Sequence, residues 1–320
     1  MVGEPDGALA GRQHARGTGA EGVRGAGGRQ CDEASIMASG DLTASAGRDI
    51  INVAGLLSAG RGTAGGSVTL GAGRDIVVGT QALIDNISMS GADGQTNSES
   101  LRHRQSQLDA GGNLTMAAGR DVSLTAAQIA IGTNPSAVNP GIGVIAAGRD
   151  VSVNAVTNSQ ANRTANGSDP KNSSYLGWSA ESVIGTQVVA AGDLTLQAGV
   201  LQTGNLDLAA STLASGGILS LRATGDISLS TVDQTKDYAH NFQSSSSGFL
   251  SKRSSTSIAN NSETLAIGSS LSGQTVTMKA GNDISIEGGR VVAQDKLTMD
   301  AGRDIVIASA EERNSAYSFE

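Results

Sequence analysis

Five times in 320 residues the chain repeats Gly-Arg-Asp followed by a β-branched residue: Gly47-Arg48-Asp49-Ile50, Gly73-Arg74-Asp75-Ile76, Gly119-Arg120-Asp121-Val122, Gly148-Arg149-Asp150-Val151 and Gly302-Arg303-Asp304-Ile305. Looser copies stand at Gly225-Asp226-Ile227 and Gly281-Asn282-Asp283-Ile284. Self-similarity of this kind restricts a chain to architectures in which one small unit stacks on its copies. A second apolar run commonly precedes the phrase, as in Gly112-Asn113-Leu114-Thr115-Met116 and Gly192-Asp193-Leu194-Thr195-Leu196. The unit therefore reads as strand, Ala-Gly turn, strand. Within each run the apolar residues alternate, as in Val122 and Leu124, Val151 and Val153, Ile227 and Leu229, which is the period of a strand with one face buried. Runs this short, β-branched and broken by glycine disfavour helix.

One strand pair cannot bury its own apolar row, so successive units must stack at the inter-strand spacing. About 12 coils from Ala34 onward predict a rod on the order of 60 Å long at roughly 4.8 Å per coil. In that stack the corner glycines Gly47, Gly73, Gly119, Gly148 and Gly302 are expected to take the φ > 0 position that a Cβ would penalise. Asp49, Asp75, Asp121, Asp150 and Asp304 are expected to cap the turn by accepting backbone N–H groups, with the arginines as a solvated ladder. A longer period is superimposed: Gly73, Gly148, Gly225 and Gly302 lie 75, 77 and 77 residues apart, and the strand opened by each of the first three runs into a Ser/Asn/Gln/Thr-rich tract. These tracts, about 88–110, 154–181 and 231–263, are expected to leave the solenoid as loops or hairpins. The organisation read from the sequence is a solenoid over 35–320 and a Gly/Ala/Arg-rich lead, 1–34, without strand period and expected to be disordered. Uncapped coils at both ends of the solenoid predict end-to-end self-association.

Composition narrows the functional classes. Aromatic residues are only 2% of the chain, which argues for a thin aliphatic core. A formal charge of −8 with no basic stripe argues against a nucleic-acid partner. Cys31 is alone and the three histidines, His14, His103 and His240, are scattered, so neither an internal disulfide, a zinc site nor a triad is expected, and no catalytic group, cofactor or metal is assigned. Rows of aspartate could suggest calcium, but the tandem Gly-Gly-x-Gly-x-Asp units of calcium-binding solenoids are absent and each aspartate has a neighbouring arginine. Gly17, Gly19 and Gly22 spell a dinucleotide fingerprint with no strand before it, which is chance in a low-complexity setting. No run of about 18 apolar residues spans a membrane, and Met1 to Arg29 lacks the apolar stretch of a signal peptide, so export is expected to depend on a segment upstream.

One polar tract carries Tyr175, Leu176, Gly177 and Trp178, the composition of a contact surface. Phe242 to Phe249, with Lys252 and Arg253, is a weaker candidate of the same kind. The competing reading is a hairpin tip folded back onto the solenoid.

At Ala110-Gly111-Gly112-Asn113-Leu114-Thr115-Met116-Ala117-Ala118-Gly119-Arg120-Asp121-Val122, and at Ile267 to Gly273 running on through Ala280-Gly281-Asn282-Asp283-Ile284, the chain resembles the repeats of the filamentous haemagglutinin family, exoproteins of two-partner secretion systems. The resemblance covers about Ile36 to Glu320. It implies an all-β, right-handed parallel β-helix in a secreted filament on the bacterial surface, used for adhesion or for contact-dependent growth inhibition. It also implies an outer-membrane transporter partner for export and a protein or glycan partner on a host or neighbouring cell. Two alternatives remain open: a translocation module at an outer membrane for a downstream toxin, and a polysaccharide-binding or polysaccharide-cleaving β-helix. The last needs clustered carboxylates, whereas the carboxylates here recur evenly.

Overall fold

In the computed structural model, which describes residues 34–60, 65–92, 94–134, 140–169 and 172–320, every described element is a strand. These strands belong to one compact unit, Glu33–Glu320. The lead expected over 1–34 lies outside the described residues except for Ala34.

Each coil lays down three strands rather than the two expected. In the coil that begins at Leu114, the strand Leu114–Ala118 runs into the Gly119-Arg120-Asp121 corner, Val122–Thr125 follows it and Gln128–Ile131 closes the turn. Equivalent strands of successive coils pair in parallel and in register. Leu114 lies between Val68 and Gly143 on the first face, Val122 between Ile76 and Val151 on the second, and Ile129 between Leu108 and Val188 on the third. The chain is thus a three-faced parallel β-helix. Eight strands stack on the second face, so its axial length is about 34 Å at the usual strand spacing. The expected 12 coils and 60 Å are corrected accordingly, because each coil takes three strands and so more residues than the two-strand unit.

Stacked inward positions form aliphatic ladders. On the second face Ile76, Val122, Val151, Leu206, Ile227 and Ile284 are all buried, and on the third Leu108, Ile129, Val188, Leu213 and Leu271 are too. Each such side chain contributes about 1.5–3 kcal/mol on leaving water. The rungs are held by main-chain bonds that continue through the corners, for example Gly119 N–H to Ala72 O at 2.9 Å and Arg120 N–H to Arg74 O at 2.7 Å.

The corner glycines serve a purpose other than the one expected. None of Gly47, Gly73, Gly119, Gly148 and Gly302 has positive φ. Instead, a Cβ at Gly73 would lie 2.3 Å from Gly47 O, at Gly119 2.2 Å from Gly73 O, at Gly148 2.1 Å from Gly119 O and at Gly302 2.0 Å from Gly281 O. Glycine is required there because the backbone of each coil rests on the carbonyl of the coil before it.

Between the second and third faces the coils alternate. Ala54, Ala126, Ala210 and Gly288 turn the corner with positive φ, and the chain passes directly to the third face. In the coils between them it departs as antiparallel hairpins: Gln81–Gly91 with Gly94–Arg104, Val156–Asp169 with Asn172–Ile184, and Val232–Ser247 with Lys252–Ile267. The expected tract 88–110 differs from this at both ends. The first hairpin starts at Gln81 because Leu83, Ile84, Ile87 and Met89 belong to its outgoing arm, and it ends before Gln107–Ala110, a third-face strand with Leu108 buried. The three hairpins and Arg313–Phe319 join in one seven-stranded antiparallel sheet. Two coils and two hairpin strands both advance about 9.6 Å. A hairpin in every second coil therefore lets its strands meet those of the next hairpin, and this matched pitch is the origin of the 75 to 77 residue period.

Buried hydroxyls close the base of the first two excursions. Ser106 Oγ donates to Gly79 O at 2.5 Å, so that the residues on either side of the first hairpin are bonded to each other. Thr186 Oγ1 does the same to Asn154 O at 2.7 Å across the second. Both side chains are fully buried.

Candidate contact surface

Alternation along a strand sends odd and even residues to opposite faces of the hairpin sheet, and directly paired residues share a face. On one face Trp178 is paired with Tyr238, Leu176 with His240 and Ser174 with Phe242. The same cross-strand rows continue to Asn162 beside Trp178 and Thr164 beside Leu176. They run on through Ser98 and Thr96 to Ile87 and Met89 in the first hairpin. The result is an aromatic and aliphatic patch bordered by Asn, Ser and Thr. Trp178, Tyr238 and Phe242 keep 41%, 44% and 41% of their surface open to solvent.

Tyr175 points to the opposite face, in a row with Asn241, Ile258 and Phe319. There its ring covers Gly177, whose Cβ would meet the Tyr175 hydroxyl at 2.6 Å. Phe249 is on neither face; it sits at the turn of the third hairpin. Of the residues singled out from sequence, Leu176, Trp178 and Phe242 are therefore brought together, whereas Tyr175 and Phe249 are separated from them. Tyr238 completes the cluster and was missed, although its even spacing from His240 and Phe242 marks the shared face. Tyr317 and Phe319 were missed too, in a strand on the far edge.

The distribution is sharper than any one contact. All seven aromatic residues of the chain, Tyr175, Trp178, Tyr238, Phe242, Phe249, Tyr317 and Phe319, lie in the hairpin sheet or its tip. None lines the solenoid core. Large aromatic side chains are ordinarily used for burial, and here the chain places them where they stay exposed.

The second set of candidate residues forms a ladder at the first corner. Arg74 Nε donates to Asp49 at 2.7 Å, Arg120 Nε to Asp75 at 2.8 Å, Arg149 Nε to Asp121 at 2.9 Å and Arg303 Nε to Asp283 at 3.1 Å, each reaching back one coil. The second guanidinium nitrogen completes each pair. The same carboxylates accept main-chain N–H groups, and the chain of acceptors is continuous: Asp49, Asp75, Asp121, Asp150, Asn205, Asp226 and Asp283 each receive the N–H of the next member, ending at Asp304. The arginines are thus bridges between coils, half-exposed but paired. The Arg120 guanidinium holds the Asp75 carboxyl below its ordinary range, and Arg74 does so for Asp49.

Between Arg149 and Arg303 the corners lack arginine, with Gly204-Asn205, Gly225-Asp226 and Asn282-Asp283 in its place. Asp207 lies on the outward side of its strand; partial desolvation first, then the nearby Asp150 and Asp226, push its carboxyl up. Among the described residues no group of three or more His, Cys, Asp or Glu side chains is arranged to hold a metal.

An open polar cleft of about 530 Å³ lies at the root of the third hairpin, lined by Thr231, Asp233, Thr235, Thr264, Glu287, Glu311 and Arg313. Its Glu311 is paired with Arg313 at 3.3 Å, which lowers the carboxyl's pKa, and no aromatic ring lines it. His103 is bonded to Asn158 through Nδ1 at 3.0 Å, on the face opposite His240; His14 lies outside the described residues.

The model of the hemagglutinin-repeat family matches the chain three times, over residues 33–135, 87–181 and 170–318. No curated protein and no solved structure matches it.

Proposed function

Since the chain belongs to the hemagglutinin-repeat family, we propose that it is a non-enzymatic stalk segment of a secreted, cell-surface exoprotein, with the solenoid as scaffold and the hairpin sheet as the element that touches another cell. The observation that carries this reading is the segregation of all seven aromatic residues onto the hairpins, exposed, beside a solenoid that uses none. Exposed aromatics set among short polar side chains are the usual anchors of a contact surface. The patch of Leu176, Trp178, Tyr238 and Phe242 would meet a protein or glycan of a host or neighbouring cell. An outer-membrane transporter would export the chain, in keeping with the family.

Adhesion and growth inhibition by contact place the same demand on this segment, which is to hold a contact face at a fixed position along a filament. The test is binding of the full chain to whole cells or isolated envelopes. The W178A/Y238A variant is expected to bind about tenfold more weakly, the loss of one to two anchor contacts, with its far-UV β signal intact. Unchanged binding by a folded W178A/Y238A variant would remove the aromatic face from the function.

A further inference from the structure

We propose that the turn of the third hairpin, Gly248 to Arg253, is a peripheral anchor for the anionic headgroup layer of a lipid bilayer. The inference rests on the reading of the hairpin sheet as the contact element, but uses residues outside the aromatic face. Gly248 N–H donates to Ser251 O at 2.7 Å, closing a turn whose central residues are Phe249 and Leu250. Both side chains are driven outward, 102% and 93% exposed. Lys252 and Arg253 follow after Ser251, and no Asp or Glu occurs from Gln243 through Thr256, in a chain whose formal charge is −8. The most apolar tip and a local excess of positive charge therefore coincide.

The tip also stands clear of the sheet. Pairing with the neighbouring strand stops at Ser173 with Gln243, and pairing on the other side stops at Ile258 with Phe319. Beyond those points, among the described residues, the ribbon pairs through its own two arms, and the bond from Ser245 N–H to Asn172 Oδ1 at 2.9 Å ties it to the neighbouring hairpin. With arms of 16 residues each, this hairpin reaches about 50 Å from the solenoid. A protein receptor of ordinary size needs about 800 Å² from each partner, far more than the end of a two-stranded ribbon offers. A bilayer interface needs no shape complementarity. It accepts Phe and Leu at the acyl boundary while Lys and Arg stay with lipid phosphates.

The experiment is co-sedimentation of the full chain with vesicles of phosphatidylcholine, alone or with one-third phosphatidylglycerol. Binding is expected to the anionic vesicles only, and to fall as salt is raised. F249S/L250S is expected to weaken it at least about tenfold. K252Q/R253Q should weaken it by about the same factor at low salt and flatten the salt dependence. Far-UV circular dichroism establishes that each variant is folded. Wild-type chain that ignores anionic vesicles, or binding that survives both substitutions, overturns the proposal. Loss of envelope binding in the tip variants without any vesicle binding by the wild type also overturns it, in favour of a protein partner. The W178A/Y238A variant separates the two readings. If it loses envelope binding while no vesicle binds, the contact face stands and the anchor falls; if vesicles bind through the tip and its envelope binding is unchanged, the anchor stands and the aromatic face falls.

Discussion

At Gly119 a single added methyl would sit 2.2 Å from the carbonyl oxygen of Gly73, so Gly119→Ala forces two coils apart. A cost of about 1–3 kcal/mol is expected, as for other overpacked sites. Gly47 stands in the same sequence motif with nothing within 4 Å of its missing Cβ, and Gly47→Ala should be neutral or stabilising by up to about 1 kcal/mol. Urea midpoints of the two variants, compared with the parent chain, check both. The motif alone could not separate these cases, because a glycine needed for positive φ and one needed for close stacking both read as Gly after Ala. The neighbouring Asp75 makes a pH-dependent contribution. Its carboxyl is held low by Arg120 and by the Asp121 N–H, whereas in the unfolded chain it titrates near pH 3.9. The stabilisation is therefore complete above about pH 4 and is lost as pH falls through the lower folded-state value. Asp75→Asn keeps an acceptor for the N–H but not the ion pair, and should give a shallower loss of stability between neutral pH and pH 3. Parallel urea titrations at several pH values would show it; an acid limb identical to the parent's would count against the ladder as a source of stability.

Hairpins and coils follow different rules, which explains what was legible. Coil strands announce themselves by aliphatic alternation and the Gly-Arg-Asp herald, and all five full copies of that phrase stand at the first corner. Third-face strands such as Gln128–Ile131 have only two inward apolar residues and no herald, so they were not resolved as a separate face. The hairpin arms carry Ser, Asn and Thr on both faces with apolar residues only sparsely among them, a pattern with too little apolar contrast to distinguish strand from loop. Aromatic parity was the missing signal: 176 and 178 share a face with 238, 240 and 242, and 175 does not. The independence of the two elements leads to a test. In the hairpin-free coil, Thr125-Ala126-Ala127-Gln128 joins second face to third, and Thr125 and Gln128 pair with Asn154 and Gln187 in the next coil. Deleting 156–185 leaves Asn154-Ala155-Thr186-Gln187, a linker of equal length. The shortened chain should fold with its solenoid intact and with first and third hairpins that have each lost the strand of the second hairpin they paired with. A retained far-UV β signal together with proteolysis confined to 81–104 and 232–267 is the expected result; general proteolysis would mean that the hairpins hold the solenoid together.

For the Glu33–Glu320 unit as a whole, the repeat made a stacked-strand architecture readable from sequence, while its dimensions were not readable. The period of 75 to 77 residues resolves into a plain coil and one that carries a hairpin, and the molecule extends across the solenoid axis at least as far as along it. The alternation works because the strand spacing is common to both sheets. One further consequence concerns how such a gene can change in length. Adding or removing a single plain coil would set adjacent hairpins about 14 or 5 Å apart instead of about 10 Å, and their strands would miss or collide. Two coils with one hairpin, some 77 residues here, form the smallest tandem insertion or deletion that leaves both sheets continuous, so length variants of this stalk should differ by whole multiples of that block.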